Sequence, residues 1–134
     1  MDDIFVARLM SSGIYTVSPD TLVEDAAHVM LDNEIGSVVV VDETNALQGI
    51  LTSTDFVKIV AEQKPKDQTS VSKYMSTDVE TATAQEPIQD AADRMIECGF
   101  HHLPVVDETE GVIGMISTTD LTAYVSKVES PTPA

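Results

Sequence analysis

A chain of 134 residues, 43% of them hydrophobic, can form one compact domain or two small lobes, which excludes global disorder. Seven Lys and Arg against 23 Asp and Glu leave a formal charge of −16, so the surface repels nucleic acid and anionic membranes. The acids are spread along the chain, a pattern that suits a halophile-like cytoplasm, where a Debye length of about 3 Å at 1 M salt screens the self-repulsion.

No apolar run reaches the roughly 18 residues of a membrane span. Met1-Asp2-Asp3 has neither the basic nor the apolar part of a signal peptide, and the single Cys98 leaves no internal disulfide. The expectation is a cytoplasmic protein with no membrane insertion and no nucleic-acid partner.

Taken in chain order, the pattern predicts a short leading helix ending at Met10 and an extended piece over Tyr15–Val17. An amphipathic helix follows, with Val23, Ala26, Ala27, Met30 and Leu31 on one face and a capping box at Thr21-x-x-Glu24. Two β-branched strands, Ser37–Val41 and Leu47–Leu51, flank a turn at Asp42–Asn45. A last helix starts at Thr54-Asp55 and buries Phe56, Ile59 and Val60.

The same series then recurs 65 positions later without a gap. Met10-Ser11 returns as Met75-Ser76, Asp25-Ala26-Ala27 as Asp90-Ala91-Ala92, and Met30 as Met95. Val40-Val41-Asp42-Glu43-Thr44 returns as Val105-Val106-Asp107-Glu108-Thr109, Gly49 as Gly114, and Thr54-Asp55 as Thr119-Asp120. The second copy therefore predicts an extended piece over Glu80–Ala82 and a helix carrying Ile88, Ala91, Ala92, Met95 and Ile96, with Pro87 in its first turn. Strands His102–Val106 and Val112–Ile116 flank a turn at Asp107–Gly111, and a helix buries Leu121, Tyr124 and Val125.

The organisation read from this is residues 6–62, a polar linker 63–70, residues 71–127, and a Pro-rich flexible tail 128–134. The fold class is α/β (α+β). Two β-α-β-β-α units, each too small to bury its own sheet well, are expected to pack with pseudo-two-fold symmetry.

Catalysis needs a nucleophile, a base and an orienting group converging on one place, and no motif of that kind is legible, so the chain is read as not an enzyme. Cys98, His101 and His102 lie close in sequence, with His28 elsewhere, but no second spaced pair completes a zinc site. The repeated turn carries more. Gly49-Ile-Leu-Thr52-Ser-Thr54-Asp55 and Gly114-Met-Ile-Ser117-Thr-Thr119-Asp120 run a buried strand into a helix N-terminus lined by hydroxyls. Such a turn caps its own helix. Its bare N–H groups also suit a phosphate, and its carboxylate suits the two hydroxyls of a ribose.

These turns, the stretch Gly99-Phe100-His101-His102-Leu103-Pro104-Val105-Val106-Asp107 and the Asp-Ala-Ala helices resemble a tandem pair of cystathionine-β-synthase (CBS) domains, a Bateman module, over residues 6–127. The resemblance implies a regulatory module that binds an adenosyl ligand (AMP, ADP, ATP, S-adenosylmethionine, in some members NAD) in the cleft between the two units. It implies one site from Tyr15, Thr16, Ile35, Gly36 and Val38 with Ser117, Thr119 and Asp120. It implies another from Glu80, Thr81, Phe100, His101, Leu103 and Pro104 with Thr52, Thr54 and Asp55. It also implies a homodimer through helical faces, here Val23/Met30, Ile88/Met95, Phe56 and Tyr124, and a separate, unknown regulated protein.

The sequence departs from the family pattern in three places. Val39 stands where the second copy has Pro104, Gly36 and Ser37 stand opposite His101 and His102, and Thr54 and Thr119 precede the ribose carboxylates in place of Lys or Arg. Few basic groups favour AMP, ADP, S-adenosylmethionine, or ATP carried with Mg²⁺. The alternative reading is a protein-interaction or dimerisation module without nucleotide binding.

Overall fold

The computed structural model describes residues 4–129. It divides into two compact units that do not follow the sequence repeats. One comprises residues 14–79 and 110–112, and the other residues 4–13, 80–109 and 113–129. The leading segment of each repeat thus folds with the remainder of the other.

In the first unit, β1 (Thr16–Val17) runs parallel to β2 (Ser37–Val41), which pairs antiparallel with β3 (Leu47–Thr52). Val38, Val39 and Val40 are all buried, as expected of a β-branched strand covered on both faces. Helices α2 (Val23–Asp32) and α3 (Ser53–Ala61) complete the unit. Val23, Ala26 and Met30 join Val38, Val40, Leu51 and Ile59 in one core. A 3-10 turn over Val71–Lys73 adds the buried Val71 to it.

The second unit contains α1 (Val6–Leu9), α4 (Ile88–Cys98), β4 (His102–Asp107) paired with β5 (Gly111–Ser117), and α5 (Thr118–Glu129). Residues 111 and 112 of β5 fall in the first unit. Ile88, Ala91 and Met95 pack with Leu103, Val105, Ile116 and the leading Val6.

The exchanged segments repeat one set of bonds. Val71 N–H donates to Thr21 O (2.8 Å), and Val6 N–H donates to Glu86 O (2.9 Å). Thr69 O accepts from Val23 N–H (2.9 Å), and Ile4 O accepts from Ile88 N–H (2.7 Å). Ser76 bridges Ile50, and Ser11 bridges Met115. At that crossing a Cβ on Gly49 would stand 2.7 Å from Ser76 O and 2.9 Å from Met75 Sδ. A Cβ on Gly114 would stand 2.8 Å from both Ser11 O and Met10 Sδ. The recurring Met-Ser and the recurring Gly are therefore two halves of one close approach.

Several expectations are corrected. Thr21 does not cap α2: its hydroxyl oxygen accepts from Ser18 N–H (3.1 Å), and the linker carbonyls of Thr69 and Lys66 take the first free N–H groups of the helix. Pro87 stands just before α4, outside its first turn. Leu31 and Ile96 are 73% and 80% exposed, and Val60 and Val125 are exposed as well, because each helix buries a narrower stripe than its apolar spacing offers. Val23, Met30, Ile88 and Met95 lie in the cores of their own units, so these side chains are not free to form a dimer face. The extended piece Glu80–Ala82 is reduced to one bridge, Ala82 to Val105, since Pro104 has no N–H to donate. Helices α3 and α5 begin at Ser53 and Thr118, one residue ahead of the predicted starts. Helix α5 runs to Glu129, so the first residues of the expected tail are helical; residues 130–134 lie outside the described residues.

Candidate functional site: two carboxylate-capped helix starts

In the first unit β3 ends at Thr52, whose extended backbone turns the chain into α3. Asp55 Oδ2 accepts from Thr52 N–H (2.8 Å) and Thr52 Oγ1–H (3.3 Å), and the side chain is only 5% exposed. Ser53 ties this turn to the start of β2: its N–H (3.1 Å) and Oγ–H (3.3 Å) both donate to Gly36 O. Ile35 lines an apolar cleft of about 590 Å³ with Met30, Ser53 and Phe56. Ile35, Gly36, Thr52 and Asp55 are thus gathered around one helix N-terminus.

The remaining predicted residues of this unit are more dispersed. The Val38 side chain is wholly buried in the core and can offer a ligand only its backbone. Tyr15 and Thr16 are exposed at the edge strand β1, and Thr54 is exposed on α3.

The second unit builds the same reciprocal capping turn that Thr52 and Asp55 make in the first. Asp120 Oδ2 accepts from Ser117 N–H (2.9 Å) and Ser117 Oγ–H (3.0 Å), while Asp120 N–H donates back to Ser117 Oγ (3.2 Å). Thr118 N–H donates to His101 O (3.0 Å), the counterpart of the Ser53–Gly36 tie. Asp120 is half-buried and Thr119 is exposed. Among the described residues, Oδ1 of neither Asp55 nor Asp120 accepts a hydrogen bond. Each carboxylate therefore uses one of its two oxygens in its turn.

His101 is exposed and His102 half-buried. Burial pushes the His102 imidazole below its ordinary range, as does the neighbouring His101, and the Asp120 charge acts in the opposite sense. Leu103 and Pro104 are buried in strand β4, and Phe100 packs against the core. Glu80 is exposed, with Cys98 Sγ 3.9 Å from its Oε1. Thr81 O accepts from Arg94 Nη2 (2.8 Å).

Arg94 was not singled out by the sequence reading. Its guanidinium takes both oxygens of Glu86, a pairing that raises its pKa above the usual range, and fixes the stretch 81–86 beside β4. The signal was available: Arg94 stands where the first repeat has Val29. Among the described residues there is no group of three or more His, Cys, Asp or Glu fit to hold a metal, and no helix long and apolar enough to cross a membrane.

The architecture is a tandem α+β repeat with one carboxylate-capped turn per unit. The CBS domain profile matches residues 6–62 and 71–127, and the chain belongs to the CBS domain family as a pair of such domains. A 17.7 kDa protein of Acidianus ambivalens is 35% identical over 116 residues, covering 87% of this chain and 70% of the relative. A homoserine O-acetyltransferase of Methanosalsum zhilinae is 33% identical over 90% of this chain, which spans only 24% of that enzyme. The CBS domain pair of protein MJ0100, solved with 5'-methylthioadenosine and S-adenosylmethionine, superposes with a TM-score of 0.87 at 26% identity, over 95% of this chain and 99% of that one.

Proposed function

We propose that this chain is a regulatory module that binds an adenosyl ligand, with Asp55 and Asp120 each accepting the hydroxyls of a ribose. The observation that carries this reading is the free Oδ1 on each capped turn, in a unit where the backbone of Gly36 or His101 is tied to the same helix start. The ligands of the MJ0100 pair support it, since both contain adenosine. S-adenosylmethionine, AMP or ADP fits better than free ATP. Thr54 and Thr119, not basic residues, precede the two carboxylates, and a triphosphate would need Mg²⁺ to offset its charge.

The regulated protein is a separate chain. The acetyltransferase activity of the longer relative is not assigned to this one. The acidic surface supports work in a salt-rich cytoplasm.

Calorimetric titration in molar KCl with AMP, ADP, Mg-ATP, S-adenosylmethionine and NAD tests the reading. Saturable binding is expected, and Asp55→Ala and Asp120→Ala each weaken one site by about 1.5–3 kcal/mol, the worth of a hydrogen bond to a charged group. Unchanged affinity in the double variant sinks the ribose assignment.

A second reading draws on a specific observation. Leu31 and Ile96, and likewise Val60 and Val125, are exposed apolar side chains at equivalent positions of the two repeats. This supports a homodimer through the helices. Sedimentation of Leu31→Glu/Ile96→Glu as a monomer, against a dimeric parent, is the expected result.

A further inference from the structure

We infer that the first unit carries an oxyanion site, separate from both capped turns, in a polar cleft of about 470 Å³ lined by Glu62, Lys64, Gln68, Thr69, Lys73 and Tyr74. None of these residues belongs to the ligand set proposed above.

The cleft is a built feature of the chain. Helix α3 ends at Ala61 with Glu62 as its C-cap, and Gln63 takes a positive φ of 56° that turns the backbone round. Lys64 N–H returns to Ile59 O (3.1 Å). Thr69, itself buried, donates its hydroxyl to Pro65 O (2.7 Å). The loop closes where Tyr74 Oη–H donates to Glu62 Oε1 (2.8 Å). Burial and the Glu62 carboxylate hold the Tyr74 phenol above its ordinary pKa, so it stays a donor to one oxygen of Glu62.

Charge singles out this place. Lys58, Lys64, Lys66 and Lys73 are four of the seven basic residues in a chain of charge −16. Lys66 lies 4.0 Å from Glu24. Lys64 and Lys73, by contrast, make no ion pair among the described residues, although 23 carboxylates are present in the chain. Two ammonium groups without an ion pair and the Gln68 amide, against the single carboxylate of Glu62, line one concavity whose size falls within the range of small-molecule sites.

The donors select the ligand. Planar, two-pronged recognition of a carboxylate favours Arg, whereas separate Lys point charges suit a tetrahedral phosphate. The lining is mostly polar, and its one aromatic ring, Tyr74, packs against the hydrophobic core of the unit. The ligand class is free phosphate or a small phosphate monoester.

The test is an ¹H–¹⁵N NMR titration of the full chain with inorganic phosphate, against chloride at matched ionic strength, at the lowest salt that keeps the fold. Glycerol 3-phosphate in a parallel titration separates a monoester from free phosphate. Saturable shifts over residues 62–74 are expected, about tenfold weaker in binding for Lys64→Gln/Lys73→Gln. Equal shifts with chloride, shifts unaffected by that double variant, or shifts centred on 52–55 and 117–120 overturn the site. Adenosine, which carries no phosphate, reports on the two capped turns alone, so failure there is distinguishable from failure here.

Discussion

In the first unit β1 pairs with β2 through Thr16 and Val17, whereas in the second the same stretch narrows to Ala82 against Val105. Pro104 replaces Val39 and removes one ladder donor. Arg94 replaces Val29 and binds Thr81 O and Glu86, doing by side chain what the first unit does by backbone. The C-termini of the amphipathic helices differ too. Gly99 takes the left-handed conformation after α4 (φ 74°), while after α2 that conformation falls to Glu34 (φ 54°), supported by Asn33 Nδ2–H donating to Val29 O (2.8 Å). One repeat pattern thus tolerates two ways of fixing the segment that leads into its sheet, provided that the capped turn is kept.

Substitutions can break or sharpen that contrast. The largest effect is expected where the units agree. Gly49→Ala and Gly114→Ala each force a methyl group against a carbonyl and a methionine sulfur, and should cost about 2–3 kcal/mol in urea unfolding. If either variant unfolds at the parent midpoint, the close approach is not a constraint. Next comes Arg94→Met, which leaves Glu86 without its cationic partner, with only Thr83 N–H still donating to it, and frees Thr81 O. A loss of about 2 kcal/mol is expected, whereas Val29→Met in the first unit should be near neutral. Equal effects at the two positions would erase the distinction.

A smaller change of opposite sign is expected at Glu34. Replacement by Gly relieves a left-handed side-chain conformation and should stabilise by up to about 1 kcal/mol, as judged by the thermal midpoint. The smallest effect is that of His102. Its folded pKa is depressed below 6.5, so the unfolded chain takes up the proton first as the pH falls. Stability from this group is complete above pH 6.5, declines as the pH drops below it, and levels off below the folded pKa. His102→Gln should flatten that slope in pH-resolved unfolding curves; an unchanged slope assigns it to other groups.

Much of this was legible because the repeat reports itself: every strand and every helix with core spacing is found near its predicted place. Both capped turns were legible as well, since Thr-x-x-Asp and Ser-x-x-Asp at a strand end carry their own hydrogen bonds. The partner of each leading segment was not legible. A repeat of 65 positions reveals that Met10-Ser11 and Gly49 recur, but not that Met10 meets Gly114 and Met75 meets Gly49. For the same reason Thr21-x-x-Glu24 misled: the helix receives its caps from linker carbonyls more than 40 positions away, beyond the reach of a local motif. The exposure of Leu31 and Ile96 was hidden because spacing marks an apolar stripe without fixing its width.

The exchanged segments make the chain a closed pair of mutual dependents. A fragment holding only the first repeat would keep α2 but lose the carbonyls that cap it, and would carry a leading segment with nothing of its own to dock on. Two such fragments that also retain the linker could each supply what the other lacks, as in a domain-swapped dimer. In the intact chain the same completion is intramolecular, so it proceeds at an effective concentration set by the linker and not by the amount of protein present.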